Sequence, residues 1–516
     1  MRNIDDFFRR LVGKTDRWCG LWACTVFTFL FPLSTFLFPL GTLAQTRIML
    51  ASDPHVMGPG LLIEDGEAWY NTVTFDRKLN DYSRDIFDEL IATALREKPD
   101  LFLLTGDLTK DGELLSHQYV VSQLQRLKDA GIQPLVIPGN HDMGTDEACY
   151  YIGAYIEMAE TATTDMFAEM YRPFGYGDGS EREETTLTYC CEPVDGLVII
   201  GIDSGHDDDP LNGVVSETAL AWVVERATAA TAAGKQVFVM MHHSVLPHVH
   251  HVQNISSTYA VKYGEWTSGA YAYHSYSTVR NQLIAAGVRV LMSGHTHVND
   301  IARDFSSDRS SSIFDISTAT TAAYPCPYRM LTLSKDMKRL DITTRYISSL
   351  PGVDGFRDMA RRRMIDGMMN LTSQFFDDEE LARLCANIFL LHVEGDEDKS
   401  PDAETYRQTF QDSLPALRND EHVQEALELF LLDFEDLEEM VYGLLEDKSH
   451  YGSSREDKTD DLRLSIDLTG GGKVVGIPAV ARPADDDYYY TLQGIRLKEP
   501  SRKGVYIRNR RLIVNR

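Results

Sequence analysis

Five short runs of metal-ligand residues, in one order and each after an apolar stretch, constrain this chain more than any other feature. They are Asp53-Pro54-His55, Gly106-Asp107, Gly139-Asn140-His141-Asp142, His242-His243 and Gly294-His295-Thr296-His297. Carboxylate oxygen, imidazole nitrogen and amide oxygen suit hard to borderline divalent cations. Seven to eight such donors exceed what one tetrahedral ion takes, so the pattern points to two metals.

Each run follows a segment that reads as a buried strand: Ile48 to Ala51, Leu101 to Leu104, Leu135 to Ile137, Val237 to Met240 and Val288 to Met292. Apolar runs of this length bounded by turn signals are typical of core strands in an α/β sheet. Helical periods lie between them. Ile86, Leu90 and Ala94 mark one and Val120, Leu124 and Leu127 a second; Leu220, Val223, Val224 and Ala227 follow the N-cap candidate Ser216, and Val279 and Leu283 precede Gly287. Alternating strands and helices with ligands at strand ends place a site at the carboxyl edge of a sheet.

These residues carry a resemblance. An Asp-x-His, a Gly-Asp, a Gly-Asn-His-Asp, a later His and a Gly-His-x-His, in that order, resemble the signature of the calcineurin-like metallophosphoesterases over roughly residues 45 to 345. The resemblance implies an α/β fold of two packed mixed β-sheets flanked by helices, with a dinuclear centre at one edge. It implies Asp53, His55 and His297 on one metal, Asn140, His242 and His295 on the other, and Asp107 bridging. Two such cations share a hydroxide and stabilise charge on a transferring phosphoryl group. His141 then faces the leaving group as proton donor or electrostatic stabiliser. The metals are Mn, Zn or Fe, since ligand type alone does not select among them.

His141 needs an orienting partner, and here the loop departs from the family. Lys110 stands where some members have the orienting carboxylate, leaving Asp111 or Asp142 as candidates. Lys110 also occupies the offset of the tyrosine ligand of purple acid phosphatases, and a lysine cannot make that bond. Other polar residues carry two readings each. Glu113 and His117 read as a solvated helix face or as touching substrate or a ligand's support; His243 reads as packing beside or supporting His242, or as an extra ligand. His248, His250 and His251 belong to a surface loop or touch substrate, and Asp300 orients a ligand imidazole or is structural.

The N-terminus points to export. Arg2, Arg9, Arg10, Lys14 and Arg17 precede an apolar run from Leu21 to Leu40, and Thr42-Leu43-Ala44 supplies small residues before Gln45. Residues 1–44 therefore read as a signal peptide and the mature protein as periplasmic, cell-surface or secreted; an uncleaved membrane anchor is the alternative. Formal net charge is −28, and removing that leader leaves −30. So acidic a chain repels polyanions, which argues against nucleic acid, while the dinuclear site can still attract a small phosphorylated substrate locally. Of seven cysteines, five lie beyond the leader without regular spacing, so no disulfide framework is expected.

Residues 45–350 are expected to form the catalytic domain. Residues 351–448 are helical in period, with Leu381, Leu384, Ile388 and Leu391 in one segment and Val423, Leu427, Phe430 and Leu431 in another. A polar linker at 449–462 and a small β segment at 463–516 follow. The stretches around Tyr490-Thr491-Leu492 and Gly504-Val505-Tyr506-Ile507 resemble a short C-terminal segment of exported Bacteroidetes proteins, sometimes linked to secretion or surface sorting. The expected activity is hydrolysis of phosphate esters, with a phosphodiesterase leading because the Gly-Asp-Leu-Thr loop and the histidine pair resemble that branch. A phosphomonoesterase such as a nucleotidase or sugar phosphatase, and a non-catalytic binding protein, are the alternatives. Substrate identity and oligomeric state have no legible code.

Overall fold

The computed structural model describes residues 45–205, 213–248, 276–395, 397–429, 433–445 and 460–469, with short strands at 262–263, 266–267, 270–271, 473–476, 489–491, 496–497, 504–508 and 511–515. The leader, His250 and His251 lie outside the described residues. The chain divides into two units, the second running Thr46–Arg516.

Two seven-stranded mixed sheets organise that unit. The first runs, in spatial order, Lys473–Gly476, Arg463–Asp467, Arg339–Tyr346, Pro327–Leu333, Thr46–Ala51, Leu101–Thr105 and Gln133–Ile137. Its last three strands are parallel, with Met49 opposite Phe102 and Phe102 opposite Pro134. The second runs Asp300–Phe305, Ser312–Ser317, Val290–Ser293, Gln236–Met241, Leu197–Ile202, Tyr189–Val194 and Ser180–Arg182. Its four strands from Ser312–Ser317 to Leu197–Ile202 are parallel.

Side-chain alternation on the second sheet shows why the layers stack. Ile199, Phe238, Met240, Val290, Met292, Phe314 and Ile316 enter the core shared with Met49, Leu103, Val136 and Leu331 of the first sheet. Val198, Ile200, Val237, Val239 and Leu291 point the other way, against Leu220, Val223 and Ala227 of helix Glu217–Ala232 and Val279 and Leu283 of helix Tyr276–Ala285. Helices Ser83–Glu97 and Leu114–Asp129 cover the first sheet through Ile86, Leu90, Val120 and Leu124. The expected caps hold: Ser216 Oγ accepts the Ala219 N–H at 3.1 Å, and Gly287 closes its helix at φ +92°.

The expected division after residue 350 differs from the packing. Helix Phe356–Thr372 places Phe356, Ala360, Met364 and Met368 in the main core, joined by Ala386, Leu390 and Val393 of helix Glu379–Glu394. The remaining helices, Ala403–Leu417, Glu421–Leu429 and Phe434–Gly443, share a core of their own with Leu381, Ile388, Phe410, Leu427 and Val441. The 463–516 segment also splits. Arg463–Asp467 pairs with Arg339–Tyr346, Leu464 opposite Ile342, so the chain returns to the first sheet. Asp461, expected in a linker, is buried, and its carboxylate accepts the Ile301 N–H at 2.9 Å. The last strands, Tyr489–Thr491, Arg496–Leu497, Gly504–Arg508 and Arg511–Asn515, form a separate four-stranded sheet.

Candidate metal centre

All five runs leave strand ends on one edge of the two sheets, and the backbone there is bent unusually. Asp53, His55, Asp107, His295 and His297 adopt left-handed φ values of 49°, 39°, 48°, 64° and 59°. Non-glycine residues rarely accept this conformation, and concentrated strain of this kind marks sites where geometry outranks stability. The flanking glycines are there for close approach. A Cβ on Gly139 would lie 2.2 Å from Asp107 Oδ1, and one on Gly294 would lie 2.0 Å from Ser52 Oγ.

Donor atoms converge in two groups. In the first, His55 Nε2 stands 3.2 Å from His297 Nε2, which stands 3.2 Å from Asp53 Oδ1. In the second, Asn140 Oδ1 stands 3.0 Å from both His242 Nε2 and His295 Nδ1. Asp107 Oδ2 lies between the groups, 3.6 Å from His55 Nε2 and 3.3 Å from His242 Nε2. Ligands held about 2.1 Å from one cation stand about 3.0–3.4 Å from each other, so these spacings are those of two coordination shells sharing one carboxylate oxygen. His242 Nδ1 lies 2.8 Å from the Thr105 carbonyl, which fixes the N–H on that nitrogen and turns the Nε2 lone pair inward. The donor set fits a pair of divalent cations.

The electrostatics agree. Burial would lower His242, but the Asp107 and Asp53 carboxylates raise it to about 10. Burial and the charge of His242 push His295 down to about 3. Burial would raise Asp107, yet His242, His141 and His55 hold it well below the usual carboxylate range. A ring that binds a proton this strongly between two carboxylates stands where a cation would replace that proton.

The structure also separates the two candidate partners of His141. Asp111 Oδ1 lies 3.0 Å from His141 Nδ1, and the other Asp111 oxygen pairs with the buried Lys110 ammonium. Asp142 is spent elsewhere: its carboxylate accepts the N–H groups of Leu108 at 3.1 Å, Thr109 at 2.9 Å and Gly139 at 2.8 Å. It thereby ties the second motif loop to the third. The 110–111 order therefore relocates the orienting acid by one residue and gives it a lysine counter-charge.

Several sequence readings need correction. Glu113 and His117 are not a solvated face, since both are buried. His117 bridges the Tyr171 hydroxyl at 2.9 Å and the Asp142 carbonyl at 2.7 Å, and burial pushes it down to about 4. His248 is neither on a surface loop nor positioned as a substrate contact: it is buried, bonded through Nδ1 to Asp300. Asp300 thus orients His248 rather than a ligand imidazole. His243 sits behind His295, ring centroids 4.2 Å apart, with Nδ1 3.0 Å from Ser204 Oγ, and its ring offers an atom near those of His242 and His295. Residues that the motifs did not flag also build the site. Thr320 Oγ1 bonds to the Asp53 carbonyl at 2.5 Å, and Lys78 is the largest charge acting on buried His55. Only their position in space reveals them.

Residues 46–299 match the family model for calcineurin-like phosphoesterases. An uncharacterized metallophosphoesterase of Bacillus subtilis, YkuE, is 30% identical over 128 residues, covering 24% of this chain and 43% of its own length. The chain thus spans less than half of that relative. Among solved structures, a dimetal phosphatase from Danio rerio is similar with a TM-score of 0.40 and 16% identity, covering 58% of this chain and 96% of the other.

Proposed function

We propose, from the premise that residues 46–299 form a calcineurin-like phosphoesterase domain, that this chain is a metal-dependent hydrolase of small phosphate esters, with diesters as the preferred class. The observation that carries the reading is Asp107 Oδ2, set 3.6 Å and 3.3 Å from the two donor groups as a shared carboxylate would be. Two divalent cations, when bound, supply Lewis-acid stabilisation of phosphoryl charge and an activated water.

The chain's own residues do the rest. Asp53, His55, Asp107, Asn140, His242, His295 and His297 would hold the cations, with Asp53, His55, Asp107, His242 and His297 buried. The His141 side chain is 26% exposed while those of His55 and His242 are 1% and 0%, and of the ligand rings only His295 is also partly exposed. It is a partly exposed imidazole beside the donor cluster that is not itself one of the assigned ligands, so it is placed to meet a leaving oxygen. Asp111 fixes the proton on His141 Nδ1 and, with Asp107, raises the ring against the lowering effect of burial, so it holds a proton to donate from Nε2. The Gly-Asp-Leu-Thr loop supports the diester preference through its resemblance to that branch.

Export completes the proposal. Strand Thr46–Ala51 begins at the expected cleavage point, and its pairing on both sides would anchor a new terminus at Gln45. The activity test is hydrolysis of bis(p-nitrophenyl) phosphate and p-nitrophenyl phosphate by the protein loaded with Mn, Zn or Fe, with and without chelator. Faster diester turnover, lost on chelation, is expected; faster monoester turnover would favour a phosphomonoesterase, and chelator-resistant turnover or none would overturn the metal-dependent reading.

A further inference from the structure

Helix Leu114–Asp129 follows the loop of Asp107, and its first turn carries a histidine, His117, that is fully buried. The start of the helix is pinned against residues 160–162: the Leu114 N–H donates to the Glu160 carbonyl at 2.8 Å, and the Ala162 N–H to the Gly112 carbonyl at 3.1 Å. From this fixed point His117 Nε2 stands 2.7 Å from the Asp142 carbonyl and Nδ1 stands 2.9 Å from the Tyr171 hydroxyl. A carbonyl can only accept, so the ring N–H is on Nε2. Nδ1 is then a bare lone pair, and the Tyr171 O–H donates to it.

The imidazole is caged as well as bonded. The rings of Phe167 and Tyr171 stand 5.7 Å and 5.6 Å from it, edge to face, and 4.4 Å from each other. All three side chains are out of contact with solvent. An aliphatic residue would fill such a place without bringing polar atoms that must be paired. The ring is there for its two hydrogen bonds.

What it grips is the main chain next to His141. The His141 N–H donates to Asp107 Oδ1 at 2.9 Å, but the later groups of the turn are held loosely: Thr109 Oγ1 is 3.4 Å from the His141 carbonyl, and the Asp142 N–H is 3.3 Å from the Gly139 carbonyl. The bond from His117 to the Asp142 carbonyl is the shortest of these. Asp142 is thus tied twice, its carboxylate to the N–H groups of Leu108, Thr109 and Gly139 and its carbonyl to His117. Asn140, on the other side of His141, would be held by its cation. His141 has no such anchor beyond Asp111, so its aim depends on the peptide that follows it.

We propose that His117, set by Tyr171, is a positioning residue for His141: by fixing the Asp142 carbonyl it holds the His141 ring where a leaving oxygen can take its proton. This rests on the phosphoesterase reading and deepens it. A small displacement of a proton donor costs rate on substrates that need the proton and little on those that do not.

Three variants of the metal-loaded full chain test it. His117→Phe keeps a buried ring and removes the N–H, His117→Gln returns an amide donor, and Tyr171→Phe removes only the hydroxyl. Metal content, thermal midpoint, and kcat and KM on an alkyl and a nitrophenyl phosphodiester are measured, together with the His141 ring signal of the zinc-loaded, histidine-labelled protein by NMR, identified by its loss in His141→Ala. His117→Phe should keep its metal and its KM, lose about tenfold in kcat on the alkyl ester and less than about threefold on the nitrophenyl ester, and shift the His141 signal. His117→Gln should recover most of the alkyl rate, and Tyr171→Phe should lose about threefold. A role in stability alone would lower the thermal midpoint and leave the ratio between the esters, and the His141 signal, at wild-type values; that result overturns the proposal, as do equal losses on both esters or loss of metal. Should His117→Phe fail to fold, Tyr171→Phe carries the same comparison. A wild type that turns over no ester overturns the proposed function, and the His141 signal still decides the positioning.

Discussion

Replacing Asp111 with Asn tests the relay that sets His141. The Asp111 carboxylate accepts from His141 Nδ1 at 3.0 Å with its own side chain only 5% exposed, so solvent screens the pair weakly. A charge-assisted hydrogen bond of this kind contributes about 1.5–3 kcal/mol, or about 1–2 pH units at the imidazole. His141 lies above its ordinary value because Asp107 and Asp111 outweigh burial. A raised value favours the protonated donor, and rate on esters that need a proton falls as pH rises through it. In Asp111→Asn that alkaline limb should therefore move down by about 1–2 pH units, further favoured by the Lys110 ammonium left without its partner. Above the wild-type limb an alkyl phosphodiester should lose about 10–100-fold in kcat/KM. A nitrophenyl ester, whose leaving group departs unaided, should lose much less, and metal content should not change. The reasoning fails if the limb stays in place, or if alkyl and nitrophenyl esters lose rate equally.

Asp107→Asn and Asn140→Ala should each lower bound metal below two ions per chain and abolish turnover; elemental analysis beside an activity assay would refute the shared-carboxylate geometry by finding two metals and full turnover in Asp107→Asn. His248 and Asp300 form a buried pair in which Asp300 outweighs burial and raises His248 to about 9. A raised histidine stabilises fully below about 6.5 and ceases to as pH rises through about 9, so the thermal midpoint should fall across that window. Asp300→Asn should remove this slope and cost about 3–5 kcal/mol at neutral pH; an unchanged slope would show that the pair does not titrate as described. N-terminal sequencing of the exported protein should start near Gln45, and a start at Met1 in a membrane fraction would refute cleavage.

What the sequence made legible is whatever is encoded by residues close in the chain. Strand Thr46–Ala51 and its neighbours could be read because buried parallel strands are short apolar runs, and helix Glu217–Ala232 because Ser216 caps a 3.6-residue period. The placement of the five motifs at one edge follows from strand-end positions in such sheets. What could not be read depends on contacts between distant segments. The choice of Asp111 over Asp142 turns on loop path: Thr109 and Leu108 present their N–H groups to Asp142, which consumes it, and no local pattern records that. His248 sits in a polar stretch that resembles a loop, and only Asp300, 52 residues away, shows it to be buried.

The same distinction explains why a change of period at residue 356 does not mark where the packing divides. A change from β to helical period at residue 356 resembles the start of an appendage, because periodicity reports local structure and not where an apolar face is buried. Phe356, Met364 and Met368 face the sheet core, where fully burying each side chain contributes about 1.5–3 kcal/mol, so this helix is part of the scaffold. The chain's return through Asp461 and Arg463–Asp467 locks the arrangement: Arg329, fully buried, donates to the Asp461 carbonyl, and Asp461 accepts from Ile301 on the second sheet. One acidic residue in a polar stretch therefore joins both sheets, and helix Phe356–Thr372, fixed between them in sequence, reaches the 76–82 turn through Arg363 and Gly367. The metal edge is written in five local motifs. The packing that holds the 76–82 turn beside it joins residues more than 280 positions apart, which no local pattern records.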